Sequence, residues 1–183
     1  GIPIRICNTF RPEDAGTYIV KTSTRKMNDR IVTGVAGKKG FTVITLEKSL
    51  MNSEIGFAQK VLAIIGKYNI SFEHLPSSID TMSLVIDSEY LKNGMLEKIT
   101  EEMREAVSPD KIYTHDDVAL VATVGHGMAH SVGTAARLFK ALYEAGINVN
   151  MIDQGAREEN IIVGVANEDC AACIRAIYAE FFN

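Results

Sequence analysis

The sequence predicts an α+β protein of two ferredoxin-like βαββαβ modules. Each is an antiparallel sheet with its helices on one face, and strand exchange interlocks the two. Three observations carry this expectation. Residues Ala119–Gly155 read as strand, glycine turn, helix and strand. A similar pattern stands 77 positions upstream. Finally, the second module runs one strand short, while one strand ahead of the first module is left unassigned.

The clearest element comes first. Ala119–Val124 is apolar and β-prone, and Gly125 and Gly127 punctuate it. Ala135, Leu138, Phe139, Leu142 and Tyr143 recur at helical spacing and predict one apolar helix face. Gly146 sits where a helix C-terminal cap belongs. Ile147, Val149 and Met151 then alternate with Asn148 and Asn150, the period of a strand. A small-residue turn feeding a helix leaves backbone N–H groups free at an open end, a place to hold a small anion such as an amino-acid carboxylate.

Shifting Val43–Ile86 by 77 positions lays it on Leu120–Val163 without a gap. Met51 meets Met128, Gly56 meets Gly133, and Val61, Leu62 and Ile65 meet Leu138, Phe139 and Leu142. Ile70 and Phe72 meet Ile147 and Val149, and Leu84, Val85 and Ile86 meet Ile161, Ile162 and Val163. Few positions are identical; the agreement of apolar positions, turn glycines and lengths marks a structural repeat. The first copy continues into a helix over Leu91–Val107, with Met95, Ile99, Met103 and Ala106 on one face. Ser108-Pro109-Asp110 stops it, and Lys111–Val118 is a further strand. The second copy ends in a helix over Asp169–Phe181, with Asn167 as its N-cap and Ile174, Ile177 and Phe181 inward. Gly37–Gly40 reads as a turn between strands Ile31–Ala36 and Phe41–Leu46. Ile31–Ala36 is therefore expected to complete the second sheet from the front. Residues 41–118 form the first module, and 31–36 plus 119–183 the second. In residues 1–30, Ile2, Ile4 and Ile6 alternate as a short strand, RPEDAGTYI is loop-like and KTSTRKMNDR is polar and basic. That stretch reads as a tail or linker. The chain opens without Met in what looks like mid-strand, so it reads as a piece of a longer protein.

Composition narrows the function. The 183 residues are 46% hydrophobic and 23% charged, with net charge −4. That is ordinary globular composition, long enough for one domain or two small ones. A negative balance gives no electrostatic reason to bind nucleic acid or an anionic membrane. The strands also lack the paired aromatics of an RNA-binding sheet. No apolar run approaches the roughly 18 residues of a membrane span. Three cysteines, an odd number, fit a reducing compartment. Cys170 and Cys173 form a CxxC, but no second pair or nearby His completes a metal set, and both fall beside an apolar helix face. His126 and His130 are four apart at a helix entrance without the Glu of a zinc-protease helix. No metal site is expected.

The run GHGMAHSVGTAARLFKALYEAGINVNMIDQG resembles the C-terminal regulatory region of aspartate kinases. So does FTVITLEKSLMNSEIGFAQKVLAIIGKYNISFEHLPSSIDTMSLVI, in the form of lysine-responsive members. IPIRICNTFRPEDAGTYI resembles the last strand and exit loop of the family's kinase domain. The resemblance implies tandem ACT domains, amino-acid-sensing modules, of which the second takes its outer strand from before the first. It implies a cytoplasmic parent enzyme that transfers the ATP γ-phosphoryl group to the aspartate β-carboxylate, the first step toward lysine, threonine and methionine. ATP and Mg belong to the parent's kinase domain. This segment is expected to be non-catalytic and to hold no cofactor, and no GxxxxGK[ST] phosphate loop is present.

The resemblance further implies a homodimer through the ACT modules, with an effector (lysine, or threonine) between the first modules of two subunits. Carried over, the effector-binding positions are Met51, Glu54, Gly56, Phe57 and Ala58, then Ser71, Phe72 and Glu73, with Ser77 and Ser78. Helix-start N–H groups near Gly56–Ala58 can hold the α-carboxylate, worth roughly 0.3–1 kcal/mol at an exposed site. Backbone carbonyls and hydroxyls at Ser71–Glu73 can receive the α-ammonium. The Glu73 carboxylate can receive an ε-ammonium, a charge-assisted bond worth roughly 1.5–3 kcal/mol. Glu54 is a second acidic candidate. In the second module Asn148, Val149, Asn150 and Gln154 are the corresponding candidates. Two runs depart from the family's pattern. Ser77-Ser78-Ile79 stands where many members carry Thr-Ser-Glu, and Ala156-Arg157-Glu158 follows the Gln-Gly where Ser-Ser-Glu is common. The alternative is a free-standing ACT-type sensor or dimerisation module with no kinase attached.

Overall fold

The computed structural model describes residues 2–19 and 30–183. Contacts divide the chain into two compact units, Gly1–Arg30 and Ile31–Asn183. In the first unit β1 (Ile4–Ile6) pairs antiparallel with β2 (Thr17–Ile19). The expected loop RPEDAGTYI therefore contains a strand; three residues are too few to show a period, and pairing with β1 decides it. The Arg5 side chain fixes the connection by donating to the Ala15 carbonyl at 3.0 Å. Most of the basic run KTSTRKMNDR lies outside the described residues.

The second unit is organised by two 14-residue strands, β3 (Gly34–Glu47) and β5 (Lys111–Val124). Around them lie α1 (Phe57–Lys67), β4 (Thr81–Asp87), α2 (Met95–Val107), α3 (Thr134–Glu144), β6 (Met151–Asp153), β7 (Asn160–Ala166) and α4 (Cys170–Phe182). The sheet order is β4-β3-β5-β7-β6, every pair antiparallel. The front strand does complete the second module: Gly34–Lys38 pairs with Val124–Leu120. The expected turn at Gly37–Gly40 is a correction, because the backbone runs straight through it. Lys111–Val118 and Ala119–Val124 likewise form one strand. Each long strand serves the first module with one half and the second with the other.

The joins between halves are irregular. The β3–β5 register shifts between Lys38 and Phe41 and again between Phe41 and Val43, and Asp117 on β5 has φ 65°. Asn167 pins both breaks. Its carboxamide oxygen accepts from the Gly40 N–H at 3.2 Å, and its amide nitrogen donates to Asp117 Oδ1 at 2.7 Å. That occupies the side chain expected to cap α4, whose N-cap position is Asp169, with no side-chain cap bond.

Because strand side chains alternate between faces, each sheet half buries one face under two helices. In the first module Ile44, Leu46, Met82, Leu84 and Ile86 meet Phe57, Val61 and Ile65 of α1 and Ile99, Met103 and Val107 of α2. In the second, Ala119, Val121, Ile161, Val163 and Val165 meet Leu138 and Leu142 of α3 and Cys173 and Ile177 of α4. Burying an Ile, Leu, Val or Phe side chain contributes roughly 1.5–3 kcal/mol. The opposite faces meet in a third, smaller core of Phe41, Val85, Val118 and Leu120, with Val43, Met151 and Ile162 against it. Helix phase departs from expectation at two ends. Ala106 is exposed and Val107 takes its place, and Tyr143 is 82% exposed while Ala141 is buried.

The edge of the first sheet is also corrected. Ile70 and Phe72 lie in no strand; pairing with β4 begins at Glu73, whose N–H donates to Val85 O at 2.8 Å. It continues through His74 and Pro76 to Ser78. Pro76 lacks the N–H that a regular ladder needs, which fits an edge position.

Candidate functional site

Between the short 3-10 turn Met51–Ser53, the start of α1 and the irregular edge segment lies a cavity of about 370 Å³. Its apolar wall is Met51, Phe57, Leu75 and Met82; its polar lining includes Asn52, Glu54, Gln59, Ser77 and Ser78. The chain enters α1 through Gly56, at φ 81°, a left-handed turn that glycine makes without a Cβ penalty. Gly133 makes the same entry to α3 at φ 88°. The first amide bonded within α1 is that of Lys60, donating to Gly56 O at 3.0 Å. The amides of Ala58 and Gln59 precede it, at the positive end of the helix dipole.

Charge at the rim is set by three side chains. Glu54 pairs with Lys48 and, at 3.3 Å, with Lys60. The Lys48 ammonium foremost, then Lys60, holds the Glu54 carboxyl below the usual carboxylate range. The two lysines neutralise Glu54 at this rim.

Seven of the ten expected first-module positions come together here: Met51, Glu54, Gly56, Phe57, Ala58, Ser77 and Ser78. Three do not. Ser71 and Phe72 line a separate hollow of about 240 Å³ with Leu62, Ile65, Gly66 and Ile70. Glu73 is exposed on the edge segment and lines neither. Leu75, Met82, Asn52 and Gln59 were not expected, nor were the lysines that clamp Glu54. Met82 carried a signal in hindsight, as the first apolar residue of an alternating strand.

The edge segment is two-sided. Leu75, Ser77 and Ser78 face this cavity. His74 and Pro76 face the second module, where His74 Nδ1 lies 2.9 Å from Asp153 Oδ2 and Pro76 lines a cleft with Asn150 and Met151.

In the second module the corresponding turn meets the chain's own carboxylates. Glu158 Oε2 accepts from the His130 N–H at 2.7 Å, and Glu159 faces His126 at 3.0 Å and Arg157 at 2.8 Å. His126, then Arg157, lowers the Glu159 pKa. Asn148 and Gln154 are exposed, Val149 packs on the module's core, and Asn150 lines the cleft. Cys170 and Cys173 are buried free thiols. Burial pushes the Cys173 thiol up to about 12, so it stays protonated and unreactive at neutral pH.

Residues 121–181 match the ACT domain family. Over its whole length the chain is 36% identical to aspartokinase 3 of Bacillus subtilis, spanning 40% of that protein. It superposes on the crystal structure of Clostridium acetobutylicum aspartate kinase with TM-score 0.92 and 48% identity, covering 99% of this chain and 42% of the other. The regulatory subunit of aspartate kinase from Thermus thermophilus aligns at TM-score 0.68 and 25% identity, over 82% of this chain and 99% of that one. The chain thus spans about two-fifths of the length of the full aspartokinases it matches, and almost all of a separate regulatory subunit. Among the described residues no helix is long and apolar enough to cross a membrane. Fold, ACT match and full-length similarity together place the chain among the ACT-domain regulatory regions of the aspartokinases.

Proposed function

We propose that this chain is the feedback sensor of an aspartate kinase, and that the first-module cavity takes an end-product amino acid, lysine or threonine. In this reading the parent protein, cytoplasmic and with ATP and Mg in its kinase domain, phosphorylates the aspartate β-carboxylate. Residues 1–30 are the tail of that kinase domain and its linker; the sensor itself is non-catalytic. The observation that carries the reading is the cavity at Met51–Ala58, Ser77 and Ser78, closed by apolar Phe57, Leu75 and Met82. Its volume of about 370 Å³ suits an amino acid. The ligand's α-carboxylate meets the Ala58 and Gln59 amides at the positive end of the α1 dipole. The ε-ammonium of lysine takes the place of Lys60 on Glu54. Ser71, Phe72 and Glu73 enter only through a second subunit, set against this face in a homodimer. Effector binding to both subunits then favours an inactive arrangement; coupling of about 1–3 kcal/mol is enough for strong feedback.

Calorimetry on the chain with lysine, threonine, methionine and diaminopimelate tests this. Lysine or threonine is expected to bind saturably, and failure of all four, singly and combined, overturns the sensor reading. Glu54→Gln is expected to weaken lysine about tenfold, the loss of one charge-assisted bond, and to leave threonine nearly unchanged. Equal loss for both would remove Glu54 as the ε-ammonium partner.

A further inference from the structure

A second cavity, of about 390 Å³, lies where the helix-free sheet faces of the two modules approach each other. One wall is built from the first module: Val43 and Thr45 on β3, Ser83 on β4 and His115 on β5. These are register neighbours, Thr45 opposite Ser83 and Val43 opposite His115, so the sheet itself places them side by side. The other wall is Asn150, Met151 and Ile152, and Pro76 closes one end. None of the residues used by the effector cavity lines it.

Its polar groups keep hydrogen-bonding capacity in reserve. The Thr45 and Ser83 hydroxyls lie 2.8 Å apart, so one proton is shared between them and the other is free to point into the cleft. The Asn150 backbone N–H is used, donating to Gly164 O at 2.9 Å, but its carboxamide has no hydrogen-bond partner among the described residues. The His115 imidazole has none either. Among the described residues no Lys, Arg, Asp or Glu lines the space, and His115 is its titratable side chain. A charged ligand would lose water there with no carboxylate, ammonium or guanidinium to meet it, whereas an uncharged one would lose less. Val43, Met151, Ile152 and Pro76 supply apolar cover. A carboxamide offers a donor and an acceptor side by side, the complement of another amide-type edge. Polar and apolar residues line the cleft in equal number, and its size falls in the usual range of small-molecule sites, roughly 300–1,000 Å³.

We propose that this inter-module cleft is a second ligand site, for a small uncharged molecule carrying an amide-type donor–acceptor edge on an apolar ring. The Asn150 carboxamide reads the edge, the Thr45–Ser83 hydroxyl pair and His115 hold its far side, and Met151 and Val43 pack the ring. Nothing in this assignment uses the effector reading of the first cavity.

The test is a nitrogen-15 NMR titration of the chain with nicotinamide as probe and nicotinate as its anionic isostere. Nicotinamide is expected to shift the amides of Thr45, Ser83, His115 and Met151 saturably, with Kd on the order of 1 mM for so small a ligand. Nicotinate is expected to bind at least about tenfold more weakly, because a carboxylate has no N–H for the Asn150 carboxamide oxygen to accept. Asn150→Leu and, separately, Ser83→Ala should abolish or weaken the nicotinamide shifts while leaving any lysine or threonine binding intact. Three results overturn the proposal: no saturable shift at about 50 mM, some fifty times that Kd; equal binding of nicotinate; or shifts confined to Met51–Gln59. The last would place the probe in the effector cavity instead.

Discussion

Single residues decide how closely the second module is packed. Thr123 is fully buried on the helix-facing side of β5, and its hydroxyl has no hydrogen-bond partner among the described residues. Burying such a group costs about 1–3 kcal/mol. Thr123→Val keeps the shape and removes the polar atom, so it is expected to stabilise the fold by about 1 kcal/mol, read as a higher urea midpoint. A lower midpoint would mean the hydroxyl has a partner, such as a bound water. Gly125 shows the opposite constraint. A Cβ there would lie 2.2 Å from the Ile31 carbonyl oxygen and 2.9 Å from Val32 Cα. The obstacle is backbone, which cannot rotate away. Gly125→Ala is therefore expected to destabilise by about 1–3 kcal/mol, the scale of an overpacked core. It should loosen the segment entering β3, seen as faster amide exchange at Thr33, whose N–H donates to Val124 O. Unchanged exchange there would count against this account.

At the scale of elements, the segment Glu73–Ser78 joins the two sites of interest. Its alternate residues face different neighbours, Leu75 and Ser77 the first-module cavity, His74 and Pro76 the second module. A strand that changes register under an effector would move both sets together. Asp153→Ala removes the His74 partner without touching the cavity. It is expected to change effector affinity about fivefold, the low end of allosteric coupling. An unchanged affinity in calorimetry would show that this segment carries nothing between modules. This segment was the least legible in the sequence. Ile70 and Phe72 looked like strand because they are apolar and alternate, yet Ile70 is buried in the first core and pairing starts only at Glu73. The repeat also misled by a small amount. The helices α1 and α3 stand 77 residues apart, as expected, but β4 and β7 share one burial pattern at a separation of 79. A slip of two keeps every strand side chain on its own face, so apolar matching could not detect it.

For the whole molecule, the balance of ion pairs sets the response to acid. Among the described residues five carboxyls sit below their ordinary range. Lys48 lowers Glu54, Lys38 lowers Asp87, Tyr68 with Lys67 lowers Glu102, the Ser49 amide and hydroxyl lower Asp110, and His126 lowers Glu159. A depressed folded-state pKa means the unfolded chain binds more protons as pH falls, so these groups stabilise above the unfolded values, near pH 4. That stability is lost as pH falls through the folded values. The urea midpoint is expected to hold between about pH 7 and 5 and to fall below about pH 4. A midpoint that stays level down to about pH 3 would contradict it.

Sequence by itself determined the modules, their repeat, the helix phases in the main, and the borrowing of a front strand by the second sheet. It did so because apolar period and turn glycines are local properties, and because an unpaired strand must go somewhere. The resemblance carried by the sequence also pointed to seven cavity residues, five at one turn and helix start and two, Ser77 and Ser78, on the edge segment. Only the tertiary structure decided that β3 and β5 run unbroken through both modules, because the bulges at Lys38–Val43 are held by Asn167, 127 residues from Gly40. It alone decided that Glu73 faces away from the cavity while Lys48 and Lys60 clamp Glu54. It alone brought Thr45, Ser83 and Asn150 to one cleft. Side-chain partners across sheet faces depend on how the sheet bends, and no window of sequence contains that bend.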